Sequence, residues 1–322
     1  MTIHLPTEVW MDTIRRATSS GIDLDDGVTH GLDIMNWCIA LMQRNATTMR
    51  TKVTLTELSH QITQIAAEYL YEIITIEKPS DASNLLAKLT QANDSKLMPF
   101  HRQWIKLIFM QDLPLPPITP ILSDILSLCR GLEGVSWIDS DHGSEWNPLH
   151  VKLTGQIPTE IEFLNWSGQV LRTTILASSA SVRVLHIGGL VDDSIPSHLV
   201  FPSLSHLSVR HSFLPCHLFA VSSMPKLVDL FIQAHFWDAS LLRSVLNDVA
   251  ATLRILRLGD RTIVKPTLFS TILDSCPECI IINPPSFQSP VVFMDIFYYD
   301  TPLFEMCHSV LPRDGIRRHK KD

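Results

Sequence analysis

The 322-residue chain has no long apolar run. No stretch approaches the ~20 consecutive apolar residues that a membrane-spanning helix requires. The opening Met-Thr-Ile-His-Leu-Pro-Thr-Glu has neither a basic leader nor an apolar core, so no secretory signal is expected and the expected location is cytoplasmic or nuclear. Basic residues are in the minority, with 26 Lys and Arg against 33 Asp and Glu, a formal charge of -7. That balance excludes a general phosphate-backbone surface, which needs clustered cations, so neither nucleic acid nor a membrane is an expected partner. The six cysteines include one Cys-x-x-Cys, Cys276 to Cys279, with no second pair to complete a structural zinc site. It also lacks the βαβ surroundings of a redox motif. Both thiols therefore read as small core hydrophobes. The aspartates Asp23, Asp25 and Asp26 do not make a calcium loop, because Val28 stands where the required glycine would be. The chain contains no Gly-x-Ser-x-Gly elbow, phosphate loop, Gly-x-Gly-x-x-Gly or His-Glu-x-x-His. The expectation is a protein without catalytic residues, metal or cofactor.

What the chain does have is a recurring phrase, apolar-x-x-apolar-x-apolar. It appears at Val182-Leu185-Ile187, Leu204-Leu207-Val209, Leu227-Leu230-Ile232 and Leu253-Leu256-Leu258, with starts 22, 23 and 26 residues apart. Weaker copies lie at Ile105-Ile108-Met110, Leu132-Val135-Trp137, Ile161-Leu164-Trp166 and Cys279-Ile282. Periods of 20–29 with this internal spacing are the leucine-rich-repeat signature. Such units cannot bury their apolar faces alone and stack into a solenoid whose usual work is binding. The fold expected is an α/β repeat, an irregular leucine-rich-repeat solenoid behind an N-terminal all-helical module. The array is irregular because Leu190, Ser212, His235 and Arg261 stand where a consensus repeat often has Asn. The competing reading is an ordinary open α/β sheet, which the strand-helix alternation also allows.

Local patterns fill in the plan. Residues 5–18 and 49–70 carry helical stripes, and 31–43 is a strongly apolar, helix-compatible stretch. Tyr71 to Ile76 switches to a β-branched strand pattern, and Pro79-Ser80 opens a further helix with Ser80 as expected N-cap. Pro284, Pro285 and Pro290 break the repeat. The organisation expected is therefore 1–72 as a helical module with an inserted loop or helix at 19–46, 73–283 as the repeat arc, and 284–322 as a C-terminal cap and basic tail.

The phrase Leu5-Pro6-Thr7-Glu8-Val9-Trp10-Met11-Asp12-Thr13-Ile14 resembles the opening of an F-box. The segments from Arg50 to His60 and from Ile65 to Ile73 resemble its second half, with Ser59 and Gln64 in place of that family's Cys and Trp. With repeats behind it, the whole chain is similar to the large fungal group of F-box-like repeat proteins. The resemblance implies docking of a Skp-family adaptor through Leu5, Pro6, Glu8, Val9 and Ile14. It further implies a role as substrate receptor in an SCF-type cullin ubiquitin ligase, with an unknown protein target held by the repeats. A binding scaffold with no ubiquitin link is the alternative.

Alternation along each repeat strand places the third, fifth and seventh positions of the phrase on one face. On that face fall Phe163, Asn165, Val184, His186, His206, Ser208, Arg210, Asp229, Phe231, Gln233, Ile255 and Arg257. Of these, Phe163, His186, His206, Arg210, Asp229, Phe231 and Arg257 are the expected target-binding candidates on a concave surface, since aromatic and Arg side chains dominate interface energetics.

Overall fold

The computed structural model describes residues 7–18, 34–58, 60–91, 101–114, 117–138, 148–191, 199–210, 222–233, 239–259, 272, 275–276 and 279–282. Three helices come first: α1 (Thr7–Thr18), α2 (Ile34–Leu58) and α3 (His60–Tyr71). Strand and helix then alternate as β1 (Ile73–Ile76), α4 (Pro79–Gln91), α5 (His101–Trp104), β2 (Leu107–Gln111), α6 (Thr119–Leu128), β3 (Gly134–Ile138), α7 (Pro148–Thr154), β4 (Phe163–Leu171), α8 (Arg172–Ser178) and β5 (Val184–Val191). The remainder is β6 (Leu199–Val200), β7 (His206–Arg210), β8 (Ser222–Ser223), β9 (Asp229–Gln233), α9 (Ala239–Val249), β10 (Ile255–Leu258) and β11 (Ile280–Ile282).

Nine strands form one sheet in the order β1-β2-β3-β4-β5-β7-β9-β10-β11, and every neighbouring pair is parallel. The short strands β6 and β8 pair with each other outside it. The recurring leucines lie side by side: Leu164 pairs with Leu185, Leu185 with Leu207, Leu207 with Leu230 and Leu230 with Leu256. Their face packs on the crossover segments, including Leu122, Ile125 and Leu126 of α6 and Val245, Leu246 and Val249 of α9, in one apolar core. Trp137 and Trp166 meet within it, ring centroids 5.5 Å apart.

The opposite face carries a second core. Ile34, Trp37, Cys38 and Leu41 of α2 pack on Ile73, Leu107, Phe109, Ile138, Phe163 and Val184 of the sheet. Trp37 lies against Phe163 with centroids 5.0 Å apart and planes tilted by 55°. Strands β2 and β3 are accordingly buried on both faces, Leu107 to Met110 and Gly134 to Ile138 without interruption. That is the burial of a parallel sheet enclosed by helices rather than of a half-open surface.

The expected fold class is thereby corrected. The chain is an α/β parallel sheet with helices, not an irregular leucine-rich-repeat solenoid with a separate all-helical N-terminal module. Helix α2, from the expected module, is a layer of the sheet's own core. The period of 20–29 residues reports short strand–crossover–strand units, which a sequentially ordered open sheet also has. Periodicity says nothing about whether the far face is covered, and here it is.

Two local expectations also change. Helix α4 starts at Pro79, and Asp81 rather than Ser80 closes its end: the Asp81 carboxylate accepts the Lys78 N–H at 3.0 Å and the Glu77 N–H at 3.3 Å. An acid in the third helical position satisfying a donor ahead of the helix is half of a capping box. In β4 the register shifts between Trp166 and Gln169, and the irregularity brings the Ser167 carbonyl over β5. A Cβ on Gly188 would sit 1.9 Å from that oxygen, so only glycine fits there. The expected cap and tail at 284–322 and the aspartate-rich loop at 21–27 lie outside the described residues.

Candidate functional site

The sheet face expected to be an open binding surface is a buried row. Register aligns Phe109, Ser136, Asn165, His186, Ser208, Phe231 and Arg257 on successive strands. One pleat away lie Phe163, Val184, His206 and Asp229. The backbone thus brings the predicted residues together on one face, but Phe163, His186, His206, Asp229 and Arg257 are buried and only Phe231 is half-buried. The reason is α2, which no repeat-based reading places there. The Arg210 side chain lies outside the described residues.

Polar contacts on this face fall in separate groups along the row. The Asn165 Nδ2 donates to Ser136 Oγ at 2.8 Å and lies 3.3 Å from the Cys38 Sγ on α2. His186 Nδ1 is 2.6 Å from Ser208 Oγ, and His206 Nδ1 is 2.8 Å from Ser205 Oγ. Arg257 and Asp229 form a buried ion pair on adjacent strands. A hydroxyl hydrogen-bonded to an imidazole is the geometry of an activated nucleophile. Here both Ser208 and His186 are fully enclosed, so no substrate reaches the hydroxyl. The Cys38 contacts tie α2 to the sheet, and each of these hydrogen bonds gives a partner to a polar group that the interior would otherwise strand.

The N-terminal candidates divide. Leu5 and Pro6 lie outside the described residues. Glu8 is exposed and Val9 is 43% exposed on the outer side of α1. Ile14, at 1% exposure, faces inward where α1 packs on α2 and α3. It holds the helix in place and cannot offer surface to a partner, which corrects its expected docking role. Among the described residues seven large apolar side chains are exposed, and five of them, Val9, Met11, Ile39, Val53 and Leu58, belong to α1 and α2.

Between these helices and the first strand lie a buried lysine and a half-buried glutamate that influence each other. Lys52 is fully enclosed; its ammonium donates to Asn45 Oδ1 at 2.9 Å, and Asn45 Nδ2 reaches the Ile73 carbonyl at 3.4 Å. Burial lowers the Lys52 pKa, with the Glu72 charge opposing. Burial likewise raises that of Glu72, and Lys52 opposes. The thiols of Cys129 and Cys279 are pushed up to about 12 by burial, so neither is a thiolate nucleophile near neutral pH.

Two features escaped sequence reasoning. The first is the seating of α2, whose signal was the strongly apolar stretch at 31–43; Trp37, Cys38 and Leu41 of it face the sheet, while Asn36, Ile39 and Gln43 face outward. The second is a groove of about 580 Å³ along the N-terminal edge of β5, β7, β9 and β10, where Arg183, Lys226 and Arg254 converge. Its signal was a cation immediately preceding the strands at 184 and 255. Compared with known proteins, the chain matches no family, and no curated protein is significantly similar to it in sequence. Among the described residues no helix is long and apolar enough to cross a membrane.

Proposed function

We propose that this protein is a receptor that couples a protein target to an SCF-type cullin ubiquitin ligase, acting in the cytoplasm or nucleus and performing no chemistry itself. The observation carrying the reading is the outward apolar surface of the N-terminal helices. Val9 and Met11 on α1, with Val53 and Leu58 (60% exposed) on α2, present apolar side chains to solvent. Val9 also belongs to the Leu-Pro-x-Glu-hydrophobic phrase that resembles an F-box opening. Burying one such side chain against a Skp-family adaptor is worth ~1.5–3 kcal/mol. The test is co-purification with that adaptor at micromolar concentration, using wild type and the Val9→Glu, Met11→Glu double variant. Binding by wild type and loss in the variant, with unchanged thermal unfolding, is the expected result. Failure of wild type to bind, or binding by both alike, overturns the reading.

A second reading is a protein-binding scaffold without a ligase link. The burial of Ile14 favours it, since a residue of the docking phrase is spent on packing α1 against its neighbours. The same co-purification separates the two.

A further inference from the structure

We infer that the cavity between Ile34 of α2 and strands β7, β9 and β10 is a binding site for a single internal water molecule, held by the Nε of Arg257. The site stands whether or not the chain docks an adaptor.

The lining of this cavity includes Ile34 of α2, His206 and Ser208 of β7, Asp229 and Phe231 of β9, and Arg257 of β10. Register sets Ser208, Phe231 and Arg257 side by side, and His206 beside Asp229. Two interstrand spacings of ~4.8 Å spread these positions over about 10 Å. Ser208 is fully enclosed, Asp229 is 5% exposed and Arg257 6%.

The Arg257–Asp229 ion pair runs diagonally across the sheet, since Arg257 is in register with Phe231 and Asp229 with Ile255. It is made through Nη2 of the guanidinium. A guanidinium carries its N–H donors in a fixed fork, one of them on Nε, so the geometry that serves Nη2 does not also serve every other donor. The Arg257 Nε is buried, and among the described residues no acceptor meets it. Buried donors are nearly always paired, with protein or with ordered water. Here the protein supplies no acceptor, and water does.

Size and charge select the occupant. The cavity leaves about 10 Å³ for the centre of a water molecule, the order of space that one water needs. A buried water also needs about two to four polar partners. Besides Arg257, the cavity is lined by the Asp229 carboxylate and by Ser208, whose Oγ is 2.6 Å from His186 Nδ1 and keeps further capacity to accept. An ion fits less well. Arg257 repels a cation, Asp229 repels an anion, and the two together are neutral. The described residues contain no group of three His, Cys, Asp or Glu that could hold a metal. An apolar occupant would leave the Nε donor stranded.

A crystal structure of the full chain, at a resolution that shows ordered solvent, tests this. One density peak is expected at about 2.7–3.2 Å from Arg257 Nε. Magnetic cross-relaxation from water to the backbone amides of Ser208 and Phe231 should report the same molecule in solution, exchanging more slowly than surface water. Asp229→Leu with Arg257→Met should lose both the peak and the cross-relaxation, because a small apolar cavity stays dry. Crystals grown in bromide give an anomalous signal at the site if its occupant is a halide, and that signal overturns the inference. So does a wild-type cavity without density, an Arg257 Nε bonded to a protein oxygen, or a peak retained in the folded double variant. A thermal melt establishes that the variant is folded; should it not fold, the wild-type density and cross-relaxation decide alone.

Discussion

The two faces of the central sheet are buried by different means. The crossover face is a ladder of like side chains, Leu164, Leu185, Leu207, Leu230 and Leu256, each packed beside its neighbour in one core with crossover residues such as Leu122, Ile125 and Leu126 of α6 and Val245, Leu246 and Val249 of α9. The other face is mixed: apolar where Trp37 and Leu41 of α2 cover Leu107 and Phe163, polar where Ser136, Asn165, His186, Ser208 and the Asp229–Arg257 pair lie. One face is closed by contacts local in sequence; the other by a helix more than a hundred residues from the strand it touches, as between Cys38 and Asn165. The local face is redundant, because each leucine has equivalent neighbours. The distant face depends on fewer contacts, and its buried polar groups make each lost partner costly.

The largest expected effect falls on the distant face. Phe163→Ala should cost ~3–5 kcal/mol by removing the ring on which Trp37 rests. It should also release α2, seen as lost amide-exchange protection at 34–45 before the leucine ladder opens. If the whole sheet loses protection together, the two faces are one cooperative unit and the contrast drawn above is wrong.

Next comes the buried ion pair. Asp229→Asn should destabilise by ~3–5 kcal/mol, because Arg257 is left charged in the interior, while Asp229→Leu with Arg257→Met should recover much of that loss. Urea titration of both variants decides; a double variant as unstable as the single one shows that the pair stabilises on balance.

On the local face Leu230→Ala should cost ~2–5 kcal/mol. Because Leu207 and Leu256 flank it in register, a double-mutant cycle with either should show coupling of ~0.5 kcal/mol or more, whereas pairing Leu230 with Phe163 on the opposite face should be additive.

A pH effect is the smallest. Burial holds the Glu72 pKa above its ordinary 4.5, so the folded state keeps a proton that the unfolded chain has already released. The resulting stability is fully present below 4.5 and is lost as pH rises through the raised value. Glu72→Gln should flatten that part of the stability profile, measured by thermal unfolding from acid to neutral pH; an unchanged slope would assign it to other groups.

Much of this was legible in order along the chain. The spacing of Leu185, Leu207, Leu230 and Leu256 marks parallel strands in sequential register, and simple alternation assigns Phe163, His186 and Asp229 to one common face. The pattern could not say that this face is closed, since covering it depends on where α2 returns. Likewise Val9 and Ile14 look equivalent as apolar residues of one phrase, yet Val9 faces out and Ile14 in, because α1 has α2 and α3 on one side only. The groove was invisible for the same reason: Arg183, Lys226 and Arg254 are far apart in sequence and line one groove only once β5, β7, β9 and β10 lie side by side.

The sequence by itself determined strand positions, their parallel neighbours and the apolar core beneath the crossovers, because those follow from periodic burial over 20–30 residues. Tertiary structure alone decided the seating of α2, the polar row it seals and the charged edge it leaves exposed, because these join residues whose separation leaves no repeating trace in the chain.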